Sequence, residues 1–167
     1  MKNIFRSAVG PLLTCASAAW LTLATPASAG WTEGVGAYNA GDYAKALSEF
    51  RPLAEAGKAD AQFALALMYL NGHQVARDEA EAAKWFLLAA EQGMSEAMGS
   101  LGALYSAGKG VPKDPVRAYM WFDIAATRGN ERAAKIRDTM AAEMPPADLK
   151  KGQRLARKWR AGHRRLK

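Results

Sequence analysis

The sequence predicts an all-α solenoid in which pairs of helices stack at 36-residue intervals. Residues recur at this fixed spacing, as in Gly57, Gly93 and Gly129, and self-similarity at such a period is the signature of stacked repeats. Segments 57–92 and 93–128 are identical at 12 of 36 positions. Half of the chain is hydrophobic and 23% is charged, which is typical of a globular chain and unlike a disordered one.

The first 29 residues predict a secretory signal peptide. Two cations precede the mostly apolar segment 7–24, and residues 27–29, Ala-Ser-Ala, have the small-x-small pattern of a signal-peptidase site. We therefore expect cleavage after Ala29 and export to the bacterial periplasm. A retained membrane anchor is the alternative, because the apolar segment reaches the lower limit of a span, roughly 17 residues. Pro11 and the Ala-Ser-Ala exit favour cleavage.

The single cysteine, Cys15, lies inside this apolar segment. A lipoprotein would be cleaved just before it, but Thr14 stands where a smaller residue is usual and the apolar segment continues beyond it. One cysteine excludes a disulfide framework and a multi-cysteine zinc site. Cleavage after Ala29 leaves the exported chain without a thiol.

Charge divides the rest of the chain into two parts. Residues 30–149, the predicted solenoid, hold 12 basic and 16 acidic residues. Residues 150–167, the predicted basic capping helix and tail, hold nine basic residues and no acidic one. An acidic body thus carries a basic tail.

At the start of the solenoid, segment 31–41 predicts a shortened first helix. Gly41 and Asp42 join it to a second helix predicted over 43–56. Pro52 lies within that second helix, where it removes one hydrogen bond and predicts a kink or a local break.

Each full period contains two predicted helices. Over 78–92, Trp85, Phe86 and Ala89 belong to one helical stripe of apolar residues. The other helix runs over roughly 94–107, where apolar residues recur at four-residue steps. Small residues on both helices allow close approach of the backbones, and the aromatic side chains fill the gaps.

Polar residues and glycines mark the predicted helix ends. Asp78 is a favoured N-cap, and Glu81 three residues later completes a predicted capping box. In the next repeat Asp114 is followed by Pro115, the favoured first helical residue. Gly93 predicts the end of the helix that Asp78 begins, because a left-handed residue there satisfies the last carbonyls.

The linker between the two helices of a repeat is the most distinctive segment. It reads AGKGVPKDP over 107–115, and its two glycines permit positive φ in a tight turn. The earlier copy, NGHQVARDE over 71–79, has Gln74 in place of the second glycine. We expect Gln74 either to strain the first linker or to change its turn.

The best copy of the repeat combines small, aromatic and capping residues. These are Ala97, Leu101, Gly102, Tyr105, Gly108, Gly110, Val111, Asp114, Ala118, Trp121, Phe122, Ala125, Ala126 and Gly129. The set resembles the Sel-one-like repeat, a relative of the tetratricopeptide repeat, and the resemblance extends over about residues 31–160. It implies an alpha/alpha superhelical solenoid of antiparallel helix pairs that holds other proteins on a concave face. In the earlier copy, Ala66 replaces the usual glycine.

The last predicted helices depart from the repeat. Ala133 keeps the register, but Arg137, Asp138 and Ala141 stand where Leu, Gly and Tyr are usual, which predicts a polar outer face. A Pro-Pro pair then ends the helix, and a final helix is predicted over 147–160. Its apolar stripe consists of Leu149, Leu155, Ala156 and Trp159.

We expect no catalytic, metal or cofactor site. His73 and His163, the two histidines, lie 90 positions apart. The zinc-protease helix motif and the nucleophile-elbow motif do not occur, and no cysteine survives the predicted cleavage. The predicted function is therefore non-enzymatic.

The resemblance places the predicted binding surface on the first helices of the repeats, which form the concave face. The residues expected to face a protein partner are Asp60, Phe63, Leu67, Leu70, Asn71, Glu96, Ala103 and Ser106. Phe63 is the favoured anchor, because large aromatic side chains carry much of the energy of interfaces. Leu67 and Leu70 have the alternative of being ordinary packing residues. The implied function is a periplasmic scaffold, adaptor or regulator.

The basic tail is the second candidate surface. Its cations are Lys150, Lys151, Arg154, Arg157, Lys158, Arg160, Arg164, Arg165 and Lys167. Such a tail attracts anionic lipid or lipopolysaccharide, which gives an alternative function as an envelope surface-binding module. Two further alternatives are a capping helix with a solvated outer face and a tail that lies on the acidic body. Nucleic acid is not an expected partner after export.

Overall fold

The computed structural model describes residues 27–163, which fold into eight α-helices without a β-strand in that range. The helices are α1 (Ala27–Asn39), α2 (Tyr43–Glu55), α3 (Ala59–Asn71), α4 (Glu79–Glu91), α5 (Ser95–Ala107), α6 (Pro115–Thr127), α7 (Glu131–Glu143) and α8 (Pro146–Gly162). Within 27–163, no helix has the length and apolar character needed to cross a bilayer. Most of the predicted signal peptide, residues 1–26, lies outside the described residues, as do Arg164, Arg165 and Lys167 of the tail.

The helices stack in the order of the chain. Helices α1 and α2, α3 and α4, and α5 and α6 pack as pairs, and each pair contacts the next through α2 with α3, α4 with α5, and α6 with α7. Phe50, Phe86 and Phe122, which lie 36 positions apart, are all buried. The period therefore returns an aromatic side chain to the same place in each pair, and the predicted all-α solenoid is confirmed.

The first helix is longer than predicted. Helix α1 begins at Ala27 and is 13 residues long, the same length as α2, so it is not shortened. The predicted cleavage site after Ala29 falls within its first turn. Helix α2 continues past Pro52 to Glu55, so the predicted local break does not occur.

Aspartates cap the second helix of each pair, as predicted for Asp78 and Asp114. The Asp78 carboxylate accepts hydrogen bonds from the backbone N–H groups of Ala80 and Glu81, at 2.9 Å each. The reciprocal half of the predicted capping box is wrong. The Asp78 N–H donates to the Tyr69 carbonyl at 3.0 Å, while the Glu81 carboxylate accepts from Lys84 at 2.8 Å. The linker thus ties the start of α4 back to α3.

The two linkers adopt the same backbone turn. Gly108 and Gly110 have φ of 71° and 67°, and the matching residues of the earlier linker, Gly72 and Gln74, have φ of 74° and 57°. Of the two expectations for Gln74, a changed turn is wrong, and its positive φ is the conformation in which a side chain is strained. A non-glycine residue in this left-handed region costs about 1–2 kcal/mol. Gly93, at φ 98°, ends α4 as predicted.

The last helix does not pair with the helix before it. Helix α8 packs on α6 rather than on α7. Gly152 lies so close to α6 that a Cβ there would come within 2.8 Å of the Tyr119 ring, and Ala156 is fully buried. The apolar side of α8 therefore completes the core over α6, as predicted for Ala156. The predicted domain boundary between residues 149 and 150 falls inside this helix.

Candidate functional site

Among the depressions of the described residues, three lie on the side of the solenoid formed by its first helices. The one we call the aromatic depression has a volume of about 270 Å³. Its lining comes from α1, α2 and α3 and the start of α5. The lining residues are Trp31, Val35, Tyr38, Phe50, Asp60, Phe63, Ala64, Leu67 and Met94.

Ring contacts hold the aromatic depression in shape. The ring centroids of Trp31 and Phe50 are 5.2 Å apart, and those of Phe63 and Phe86 are 5.5 Å apart. Phe50 and Phe86 are buried core residues, so Trp31 and Phe63 rest on a fixed support. Asp60 is the one charged residue of the lining. The depression thus offers preformed apolar surface beside a single carboxylate.

The polar depression lies farther along the solenoid, with a volume of about 340 Å³. Glu96 and Arg132 line it. These residues follow Asp60 by 36 and 72 positions, so the same site carries an acidic side chain in two successive repeats and a basic one in the next. Asn130 also lines it, donating from Nδ2 to the Ser95 carbonyl at 3.3 Å and capping α7. Phe63 lines both depressions, and we call the two together the groove.

The linker depression, of about 470 Å³, lies between the two linkers. Leu70 and Asn71 at the end of α3 and Ala103 on α5 contribute to it, together with the cations Arg77 and Lys109. Ala103 also lines the polar depression, so the two depressions adjoin.

The structure distributes the predicted partner-facing residues over these three depressions. Asp60, Phe63 and Leu67 line the aromatic depression, and Glu96 and Ala103 line the polar one. Leu70 and Asn71 line the linker depression. Ser106 is exposed and lines none of the three depressions. Their role in binding a partner stays a prediction.

Sequence reasoning missed the contribution of α1. Trp31, Val35 and Tyr38 form one wall of the aromatic depression, yet they belong to the helix that the sequence predicted to be shortened. Their spacing of i, i+4 and i+7 is that of one helical stripe. That spacing was the signal available in the sequence.

The two histidines take part in ring stacking. The His73 ring stacks on Tyr43 with centroids 3.9 Å apart, and the His163 ring stacks on Trp159 at 4.0 Å. Within residues 27–163, no group of three or more His, Cys, Asp or Glu side chains could hold a metal ion.

The predicted anion-binding residues separate into two groups on α8. Lys150, Lys151, Arg154, Arg157 and Lys158 are exposed; we call these five the basic stripe. Arg160 instead donates to the Asp123 carboxylate of α6 at 2.7 Å, a contact of the kind expected if the tail lies on the acidic body. Anion binding by the tail stays a prediction.

The carboxylate that holds Arg160 also lies near a second cation. Arg137, where the repeat usually has leucine, comes within 3.8 Å of Asp123. The hydrogen bond to Asp138 raises the pKa of Arg137 above its ordinary value, and partial desolvation of the guanidinium opposes this rise. These pairs tie α7 and α8 to α6.

Comparisons with known proteins agree with this architecture. The family model described as the Sel1 repeat matches residues 59–94 and 95–130. The fold is similar to a protective antigen of uropathogenic Escherichia coli that displays an SLR fold, with 32% identity and a TM-score of 0.79 over 83% of this chain and 31% of that one. A Sel1 repeat protein from Oxalobacter formigenes is similar at 26% identity and a TM-score of 0.64, over 75% of this chain and 54% of that one.

The chain thus spans less than two thirds of the length of either of these structures. No curated protein sequence matches it.

Proposed function

We propose, from the premise that this chain is a Sel1-repeat protein, that it is a non-enzymatic periplasmic scaffold, adaptor or regulator whose groove binds a protein partner. Sel1 repeat proteins generally mediate protein–protein interaction. The observation that carries the proposal is the aromatic depression. It combines large apolar side chains, a fixed shape and an opening to solvent, which are the properties of an interface hot spot.

Phe63 is the central residue of the proposed surface. Its side chain is half-buried and packs on Phe86, so little conformational entropy is lost when a partner covers it. Because it lines both parts of the groove, a partner residue that contacts Phe63 would also approach Glu96 and Arg132. Those opposite charges would orient the partner, since complementary charge sets the specificity of interfaces more than their affinity.

The groove favours this function over the alternative of a surface-binding module in which the solenoid is only bulk. A solenoid that served as bulk would need no open apolar depression, and exposed apolar surface is a liability without a partner. The expected partner is therefore a protein that presents an apolar side chain to the aromatic depression.

Substitution of one leucine in the groove tests the proposal against a matched leucine elsewhere. Leu67 lines the aromatic depression, whereas Leu87 on α4 is 39% exposed and lines none of the three depressions. A protein that the wild type retains from envelope extract at high salt should bind the Leu67→Gln variant at least about tenfold more weakly than the wild type. Its affinity for the Leu87→Gln variant should equal its affinity for the wild type. Equal retention by wild type and both variants would refute binding in the groove.

Export is tested separately by locating the protein and its N-terminus in bacterial cells. We expect the protein to be released with the periplasmic fraction. Its measured mass should be that of a chain whose first residue is residue 30. A chain that stays in the cytoplasm, or that keeps residues 1–29 in the membrane, would contradict the proposed location and leave the groove experiment valid.

A further inference from the structure

We infer that the basic stripe of α8 is a second binding surface, which holds the protein against the phosphate headgroups of an anionic membrane. The stripe differs from the groove in position and chemistry. None of the three depressions is lined by a residue of α8. The inference therefore concerns a surface that the proposed protein partner leaves free.

Helical spacing places the five cations of the stripe on one side of α8. With 100° between successive residues, Lys150, Lys151, Arg154, Arg157 and Lys158 fall within about 120° of the helix circumference. They extend over about 12 Å along the axis at 1.5 Å per residue. The buried Gly152 and Ala156 lie on the opposite side, against α6. The core contact of α8 therefore turns the stripe outward.

The cations of the stripe are unpaired within the described chain. All five are exposed, and none forms an ion pair with a residue of 27–163. Arg160 shows the contrast, because its pair with Asp123 helps to fix α8 on α6. The helix holds the stripe in place, so binding an anionic surface requires no ordering of this segment.

The composition of the stripe favours a lipid surface over a protein. Protein interfaces are depleted of lysine and depend on aromatic anchors in pockets, and the stripe consists of three lysines and two arginines. Lipid headgroups can move beneath fixed cations without matching a shape. The preference for a membrane over nucleic acid rests on the proposed export, which would bring the chain to a membrane.

Vesicle partitioning with charge-matched variants tests the inference. The protein is purified in the form that cells produce. Its partition coefficients between water and vesicles are then measured at limiting lipid, for vesicles of phosphatidylglycerol and for vesicles of phosphatidylcholine. Each Lys or Arg near an anionic surface contributes about fivefold. The variant Lys150→Gln/Arg154→Gln/Arg157→Gln should therefore bind phosphatidylglycerol vesicles about a hundredfold more weakly. Binding of the wild type should also fall steeply with added salt.

The control variant is Lys45→Gln/Arg51→Gln/Lys58→Gln. It removes the same net charge at three exposed positions of α2 and the turn after it, so it should lose far less binding. Leu67→Gln should bind vesicles as the wild type does, which separates this inference from the groove. Circular dichroism should show that all variants keep the helical content of the wild type.

Three outcomes would overturn the inference. The first is equal loss of binding in the two charge variants, which would indicate net charge alone. The second is equal partitioning of the wild type to the two lipids. The third is binding of a DNA duplex or an acidic protein, lost with the stripe, without binding to phosphatidylglycerol.

Discussion

The two matched repeats, 59–94 and 95–130, adopt the same backbone turn in different surroundings. Gly110 in the later linker lies against the start of α4, where an added Cβ would overlap the Glu79 carbonyl. At the equivalent position of the earlier linker, Gln74 carries a whole side chain at similar φ, beside a His73 ring stacked on Tyr43. The repeat thus requires a left-handed residue in both linkers, but the close contact with the preceding pair requires glycine only in the later one.

The largest effect that separates the linkers is expected from alanine in each. Gly110→Ala should lower the free energy of unfolding by more than about 3 kcal/mol, because a strained φ is combined with overlap against backbone atoms. Gln74 already has a Cβ at this φ, so Gln74→Ala should change the free energy of unfolding by less than about 0.5 kcal/mol. Urea unfolding followed by circular dichroism measures both, and similar losses would show that the linkers have the same surroundings.

An intermediate effect is expected inside the helices. A Cβ at Gly102 would lie 2.9 Å from two ring carbons of the buried Phe122, whereas Ala66, its counterpart in α3, is accommodated with full burial. Overpacking should outweigh the better helix propensity of alanine, so Gly102→Ala should lose about 1 kcal/mol of stability.

Gly99 on the same helix provides the control. A Cβ there would come no closer than 3.4 Å to the Asn130 amide, so Gly99→Ala should gain about 0.5 kcal/mol or more from helix propensity. The midpoints of thermal unfolding of the two variants should move in opposite directions. A gain in both would mean that α5 and α6 can separate at no cost.

The smallest effect is a gain. Gln74→Gly removes the left-handed strain in the first linker and should raise the free energy of unfolding by about 0.5–1 kcal/mol, net of the greater freedom of glycine in the unfolded chain. Lys109→Gly, in the second linker at a position without positive φ, should give no gain. If both glycines had the same effect, Gln74 would not be the strained residue.

The fold was largely predictable from the sequence, because the 36-residue period fixes which residues are equivalent and the helix signals fix where each helix lies. Tertiary contacts account for the errors. The sequence predicts that the Asp78 N–H donates to Glu81, because the return of the linker to the Tyr69 carbonyl is visible only in the folded chain. In the same way, Arg160 belongs to a run of cations, and its partner Asp123 lies on another helix.

The candidate site was predictable in part. Positions inside the repeats could be assigned to the first-helix side by equivalence, which led to Phe63, Leu67 and Glu96. The wall formed by α1 was missed, because the linker from α1 to α2 has three residues where the later linkers have seven. The shorter linker moves Trp31, Val35 and Tyr38 out of the 36-residue register. Which protein enters the groove depends on the partner's own sequence, and the solenoid encodes only the apolar and charged features that the partner must match.

The position of α8 also bears on how copies of the chain can associate. A stack of like repeats resembles a one-dimensional crystal, in which the surface at one end fits the surface at the other and copies can add head to tail without closure. Because α8 leaves α7 and lies on α6, the last unit presents no copy of the surface that a further repeat would use. The basic stripe adds electrostatic repulsion between copies that meet at this end. We therefore expect no head-to-tail addition of copies through this surface.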